Sequence, residues 1–323
     1  MFDYVIERIK NAELTEAPFR HLYLENLFSP EHFAEIMSAP EIRIPAKRND
    51  ADLFDALFSS GYKIVNFPGC ITNQKKYIAW HEGGKIAADS HSLCEAFGIT
   101  LRLEEPSTEI LLKIKDFLSS DAFNSAIADK FDIPLAETFL DNGIQKYLDG
   151  YEISPHPDNR KKALTFMVNI NPDPGSEQRE HHTHYLALKP EYQYVSSFWR
   201  DNSDCETCWI PWDWCETEFL QSKNNSMVIF SPSYDTIHGV RARYDHLAAQ
   251  RTQLYGNLWF NETPDLLRVD WEDLDIKTTA QNKKVELSLK DSIAGLLPKR
   301  GRRFLKRILK RDSKTVVKVR LKK

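Results

Sequence analysis

The sequence predicts a mainly β chain with helical flanks (α+β), its core at about residues 140–262, and three patterns carry that expectation. Leu164-Thr165-Phe166-Met167-Val168-Asn169-Ile170-Asn171 alternates along its length with the period of a strand. The stretch 251–260 divides into a polar face, Arg251, Gln253, Tyr255, Asn257 and Trp259, and a face of Thr252, Leu254, Gly256, Leu258 and Phe260. Helical spacing of apolar residues appears in the flank, at Val5, Ile6 and Ile9 and again at Ile110, Leu111, Ile114, Phe117 and Leu118. An open sheet would bury the second face of 251–260 and solvate the first. A closed barrel would instead turn the polar face toward a cavity able to hold a charged small molecule.

The elements follow in order. The amphipathic opening helix leads to a strand at Phe19-Arg20-His21-Leu22-Tyr23-Leu24. Ser29 and Pro30 then suit the N-cap and first position of a helix carrying Phe33, Ile36 and Met37. Further helices span about 108–131, and helices in such a flank buttress one sheet of a barrel. Residues 190–215 concentrate Tyr192, Tyr194, Phe198, Trp199, Trp209, Trp212 and Trp214, four of the chain's seven tryptophans. This aromatic insert, at about 185–225, reads either as a lid over substrate or as a satellite core under a long connection. The chain thus divides into a mixed flank at 1–139, a core at 140–262, an extension at 263–298 and a basic tail at 299–323.

The chemistry centres on His156-Pro157-Asp158, followed about eighty residues later by His238 and then by Arg251. Two imidazoles and a carboxylate can cap one face of Fe(II) and leave positions open for a co-substrate and dioxygen. An arginine beyond the last histidine offers a planar fork for a 2-oxo acid carboxylate. With 24 aspartates in 323 residues, one of ten histidines acquires an Asp two places on about once by chance, so the surroundings must carry the assignment.

Those surroundings are Tyr147-Leu148-Asp149-Gly150 before the motif, the alternating strand after it, Ile237-His238-Gly239-Val240, and Arg251 opening the last core strand. Over about 140–262 the order resembles the prolyl-4-hydroxylase-like branch of the 2-oxoglutarate/Fe(II)-dependent oxygenases. The resemblance implies a double-stranded β-helix (jelly-roll) core, with Fe(II) held by His156, Asp158 and His238. It also implies 2-oxoglutarate as co-substrate with O2, Arg251 on its distal carboxylate, and Tyr147 as a hydroxyl donor to the same group. The implied reaction hydroxylates a C–H bond and releases succinate and CO2; related halogenases lack the carboxylate that Asp158 supplies. Three departures stand out. Arg179-Glu180-His181-His182-Thr183-His184 occupies the place of a family Gly-Gly, Arg251 lies thirteen residues after His238, and Gln253 replaces a common serine. Arg241 and Arg243 are reserve candidates for the co-substrate arginine.

Rival readings remain open at this level. Cys205, Cys208 and Cys215 could bind zinc with a histidine from 181–184, although a structural site needs four well-spaced ligands. His182 and His184 could share one strand face and chelate a metal as in cupins, without that pattern's glycines or glutamate. No GxSxG, P-loop or strand-linked GxGxxG is present. Besides the oxygenase, a non-catalytic barrel adaptor anchored by its tail and an Fe(II) oxygenase using another co-substrate are the alternatives. The substrate itself, whether a small molecule, a glycan or a protein side chain, is not specified.

Composition sets the context. Hydrophobic residues at 41% and charged residues at 28% describe a globular chain with a sizeable core. No apolar run approaches the ~20 residues of a membrane span, and the N-terminus lacks the apolar stretch of a signal peptide. Five cysteines, an odd number, suit a reducing cytoplasm. Charge is unevenly placed: residues 299–323 carry thirteen Lys/Arg against Asp312, a net of +12, and the rest carries −16. Phe304, Leu305, Ile308 and Leu309 would form one apolar stripe of a basic helix, suited to an anionic membrane surface, with nucleic acid the less favoured partner.

Overall fold

The computed structural model describes residues 1–85, 97–202 and 207–262. The C-terminal extension, the basic tail with its membrane or nucleic-acid expectation, and Cys205 lie outside the described residues.

Eight strands build the core: β4 (Thr138–Tyr147), β5 (Glu152–His156), β6 (Lys162–Asn169), β7 (Thr183–Leu188), β8 (Cys215–Gln221), β9 (Met227–Phe230), β10 (His238–Arg241) and β11 (Arg251–Phe260). Three strands precede them, β1 (His21–Leu24), β2 (Tyr62–Ile64) and β3 (Thr100–Leu103). The pairing is nested: β7 with β8, β6 with β9, β5 with β10 and β4 with β11, all antiparallel. The second half of this ribbon retraces the first. Folding it over places β4, β6, β9 and β11 in one sheet and β5, β7, β8 and β10 in the other. That path is a jelly roll, the double-stranded β-helix expected from the sequence. β1 pairs with β9, β3 with β4 and β2 with β3, so residues from the N-terminal flank extend the larger sheet to seven strands among the described residues.

The helices cover the outer face of that sheet. They are α1 (Asp3–Asn11), α2 (Pro30–Ser38), α3 (Asp50–Ser59), α4 (Gln74–Glu82), α5 (Glu109–Leu118) and α6 (Asp121–Lys130); α7 (Tyr194–Asp201) belongs to the insert. Ser29 caps α2 by accepting from the His32 N–H, with Pro30 in the first turn, and Ser120 caps α6 in the same way. Val5 and Ile9 of α1, Ile36 of α2, and Ile110, Leu111 and Ile114 of α5 are buried in one cluster with Leu164, Phe166, Leu254 and Leu258 of the sheet. Burial of such apolar area, at about 25 cal/mol per Å², holds the two layers together.

The aromatic insert forms a satellite core. Leu186, Trp199, Ile210, Cys215 and Ile237 are buried together, with Trp212, Trp214 and Tyr234 packed against them. Because Tyr185 points into the barrel with Phe230, its neighbour Leu186 and the insert lie on the outer face of the smaller sheet. Among the described residues no helix is long and apolar enough to cross a membrane.

One position in the larger sheet admits only glycine. Gly256 on β11 pairs with Phe166 on β6, and the Phe166 ring lies across it. A Cβ at Gly256 would stand 2.2 Å from Phe166 Cζ, inside van der Waals contact. Gly256→Ala is expected to cost about 1–3 kcal/mol by overpacking, measured by urea unfolding. Phe166→Leu in the same chain should recover part of that loss, and an additive double mutant would rule out the contact as its cause.

Candidate active site

His156 ends β5 and His238 opens β10, and the two are direct cross-strand partners. Adjacent strands at this register put both side chains on the inner face, their ring centroids 4.6 Å apart. Asp158, two residues past β5, meets them: His156 Nε2 is 3.7 Å from Asp158 Oδ1 and His238 Nε2 is 3.9 Å from Asp158 Oδ2. All three potential ligand atoms lie within 4.8 Å of one another. These separations exceed a hydrogen bond and suit donors sharing one ion at about 2.0–2.2 Å each.

The surroundings aim the donors. His156 Nδ1 lies 2.8 Å from the Ser154 carbonyl and His238 Nδ1 lies 2.9 Å from the Thr236 carbonyl. Each Nδ1–H is donated to a carbonyl, so each Nε2 lone pair faces the shared centre. Burial pushes His238 down to about 4, keeping it neutral and able to ligate. Burial alone would raise Asp158, but the charge of Lys162 outweighs it and holds the carboxyl well below the usual range. Lys162 Nζ donates to Asp158 Oδ1 at 2.6 Å, and Thr165 Oγ1 lies 2.8 Å from Asp158 Oδ2. The donor set, its burial and its tautomers fit a divalent metal.

Arg251 opens β11 opposite Tyr147 of β4. Its side chain is buried, with the residue 2% exposed, and its guanidinium lies 4.5 Å over the Tyr147 ring. Nη2 donates to Thr183 Oγ1 at 3.0 Å. Among the described residues Arg251 has no carboxylate within ion-pair distance. Burial lowers its pKa, yet a guanidinium stays charged. Thr183 pairs with Val240 and Tyr185 pairs with His238. Arg251 therefore contacts β7 two residues, about 6.6 Å, from the metal-facing position.

Tyr147 is placed beside Arg251 by its ring rather than its hydroxyl. Gln145 turns its amide oxygen to Arg102, 2.9 Å from Nη2, and its NH2 to the Tyr147 hydroxyl at 2.7 Å, leaving the phenolic proton for another acceptor. The reserve arginines lie elsewhere. Arg241 pairs with Glu152 at 3.1 Å and stacks 4.6 Å over Trp212, on the outer side of β10, and the backbone of Arg243 bridges Glu180. His182 precedes β7, while His184 bonds Thr217 Oγ1 at 3.0 Å on the outer face, and among the described residues these two join no metal grouping. Cys208 is exposed, and Cys215 is buried among the insert's aromatics, its thiol raised to about 11 by burial.

The polar face of β11 turns into the barrel. Gln253 donates to Asn169 Oδ1 at 2.8 Å, and Asn257 Oδ1 lies 2.9 Å from Thr165 Oγ1. Phe230, 5.0 Å from the His238 ring, with Tyr185, Val228 and Met167, supplies an apolar wall beside the candidate metal centre. Lys162 and Thr165 escaped the sequence reading. Their signals were present: Lys162 stands four residues after Asp158, and Thr165 lies on the alternating strand.

A second grouping, Asp50, His81 and His246, could also hold a metal by residue type. Its geometry is that of a closed hydrogen-bond network. His81 Nδ1 is 2.9 Å from Asp50 Oδ2, His81 Nε2 is 3.0 Å from Asp149 Oδ2, and His246 Nε2 is 2.6 Å from Asp50 Oδ1. Lys85 also bonds Asp149. The network ties α3, α4, the turn after β4 and the connection before β11. Hydrogen bonds to Asp149 and Asp50 raise His81 to about 9. For Asp149, burial works upward but bonds from His81 and Lys85 win, giving about 2.

No family model matches the chain, and no curated protein matches it. Among solved structures it is similar to a Pseudomonas putida prolyl-4-hydroxylase at 9% identity, covering 80% of this chain and 98% of that one, with a TM-score of 0.38. It is similar to a Trichoplax adhaerens prolyl hydroxylase in complex with a hypoxia inducible factor peptide fragment, at 11% identity over 80% and 89% of the two chains and a TM-score of 0.38. EvdO2 from Micromonospora carbonacea var. aurantiaca, complexed with 2-oxoglutarate, matches at 11% identity over 70% and 99%, with a TM-score of 0.29. The jelly roll itself rests on the strand pairing.

The His81 contribution to stability should be fully present below its unfolded pKa of about 6.5 and lost as pH rises through about 9. That of Asp149 should be present above about 4 and lost as pH falls through about 2. His81→Gln should flatten the decline of the thermal midpoint between pH 6.5 and 9 relative to wild type. Parallel pH profiles of the two proteins would show that His81 is not protonated in the folded state.

Proposed function

We propose that the chain is an Fe(II)- and 2-oxoglutarate-dependent dioxygenase that hydroxylates a C–H bond of a substrate still to be identified, releasing succinate and CO2. The observation that carries the reading is the buried Arg251, which has no carboxylate partner among the described residues and sits one strand repeat from the His156/Asp158/His238 cluster. Desolvating a guanidinium without an anion is costly, and a 2-oxo diacid reaching from the metal would complete it.

Bound Fe(II), with 2-oxoglutarate and dioxygen, would supply the oxidising chemistry. The chain's own residues position and insulate it. His156, Asp158 and His238 would hold the metal on one face, with the Ser154 and Thr236 carbonyls keeping both imidazoles in the ligating tautomer. Lys162 and Thr165 fix the Asp158 carboxylate so that its orientation does not depend on the ion. Arg251, with Thr183 bonded to it and Tyr147 beneath it, would orient the distal carboxylate. Phe230, Val228 and Met167 exclude water beside His238. Asp158 fills the position that a halide would need, which favours hydroxylation.

Anaerobic reconstitution with Fe(II) and 2-oxoglutarate, followed by admission of oxygen, tests this. Asp158→Ala and His238→Ala should lose bound iron and succinate release while keeping the fold; full succinate release by both would refute the metal assignment. Arg251→Ala should weaken 2-oxoglutarate binding by roughly 30-fold or more, since an unpaired buried carboxylate costs ~2–5 kcal/mol. A silent Arg251→Ala beside an impaired Arg241→Ala would move the co-substrate to another face of β10.

A further inference from the structure

Lys162 brings to the candidate metal centre a charge that works against a metal. It begins β6, four residues after Asp158, and its Nζ donates to Asp158 Oδ1 at 2.6 Å. Little of the pair meets solvent, the two side chains being 14% and 6% exposed. The ammonium also lies 5.4 Å over the ring of Trp259, its cross-strand partner on β11. A carboxylate and an indole face thus hold the charge in place from two sides. Oδ1 is also the oxygen that lies 3.7 Å from His156 Nε2. The oxygen an ion would share with His156 is therefore the one that the ammonium holds.

A divalent ion bonded to that oxygen at about 2.2 Å would stand within about 4.8 Å of the ammonium. Between buried charges so close, solvent and salt screen little of the repulsion. The cluster holds a single carboxylate, so a divalent ion and an ammonium would share one negative charge. Hydrogen-bond donors to a ligating carboxylate ordinarily strengthen metal binding by orienting the ligand. A neutral donor does only that, as the Thr165 hydroxyl can for Oδ2. Lys162 orients and repels at once.

We infer that Lys162 is a positioning residue that sets the metal affinity of the site, holding Asp158 in its ligating pose while its charge keeps the ion weakly bound and exchangeable. This rests on the metal assignment proposed above and deepens it. Metal occupancy then follows the supply of free divalent ion instead of being fixed once the chain has folded. Lys162 and the ion compete for one carboxylate, and the balance between them is written into the four-residue spacing from Asp158.

The test is calorimetric titration of Mn(II), a divalent probe that resists air oxidation, into chelator-treated full-length protein, with thermal unfolding in the presence and absence of the metal. Lys162→Gln keeps an N–H donor and removes the charge. It should bind Mn(II) about ten-fold or more tightly than wild type. Its midpoint without metal should fall, because buried Asp158 has lost its counter-ion, and Mn(II) should then raise that midpoint by more than it raises the wild type's. Lys162→Arg, which restores the charge, should return the affinity to the wild-type range. A purely structural role predicts a lower midpoint with equal or weaker Mn(II) binding, and that result overturns the inference. Lys162→Arg binding as tightly as Lys162→Gln overturns it as well. Should Lys162→Gln not fold, Lys162→Met, which keeps the stem against Trp259, carries the same expectation. Binding by Lys162→Gln alone upholds the inference in its strongest form, whereas binding by neither protein overturns the metal assignment itself.

Discussion

The register of β11 between β4 and β6 is the constraint on which the rest depends. Through it Arg251 stands opposite Tyr147, Gln253 opposite Asn169, and Gly256 opposite Phe166. One face of the strand closes the helical core through Leu254 and Leu258; the other brings a guanidinium and two amides into the barrel. A slip of one residue would exchange the faces, burying charge against α5 and α6 and stripping the barrel interior of its polar groups. Core stability and site chemistry are thus set by one hydrogen-bonded ladder.

The barrel interior in turn is polar, and most of its polar groups are satisfied by one another. Asn169 donates to the carbonyls of Gln221 and Lys223, Gln221 donates to the Met167 carbonyl, and Tyr185 donates to Gln221. This lattice satisfies the interior on the side facing the smaller sheet and stiffens the wall next to the candidate metal centre. Polar atoms are left unmatched near Arg251, where the lattice stops.

Much of this was legible in the sequence, and unevenly so. His156, Asp158 and His238 could be read because two of them are tied to a local motif and the third opens a strand; strand alternation then places them on one face. The two faces of β11 could be read from period alone, although only closure of the barrel decides which faces inward. The role of the aromatic insert could not be read, since a lid and a satellite core have the same composition; Leu186 and Ile237 decide it by presenting the outer face of the smaller sheet to Trp199. The network of Asp50, His81, Asp149 and His246 was invisible. Its members come from four separate segments, each ordinary in its own surroundings, and only the packing of α3 and α4 beside the core brings them together.

The nested strand order also dictates when the site can exist. His156 and His238 are 82 residues apart in sequence, and they meet only in the β5–β10 pair, which lies outside the β7–β8 and β6–β9 pairs in the ribbon. Loop-closure entropy makes the inner pairings cheaper to form first. An ion therefore finds no preassembled ligands on the unfolded chain and cannot nucleate the barrel. The three candidate ligands thus come together only after the inner pairs have formed, and the polypeptide must reach most of its topology by its own contacts before it has a site to offer an ion.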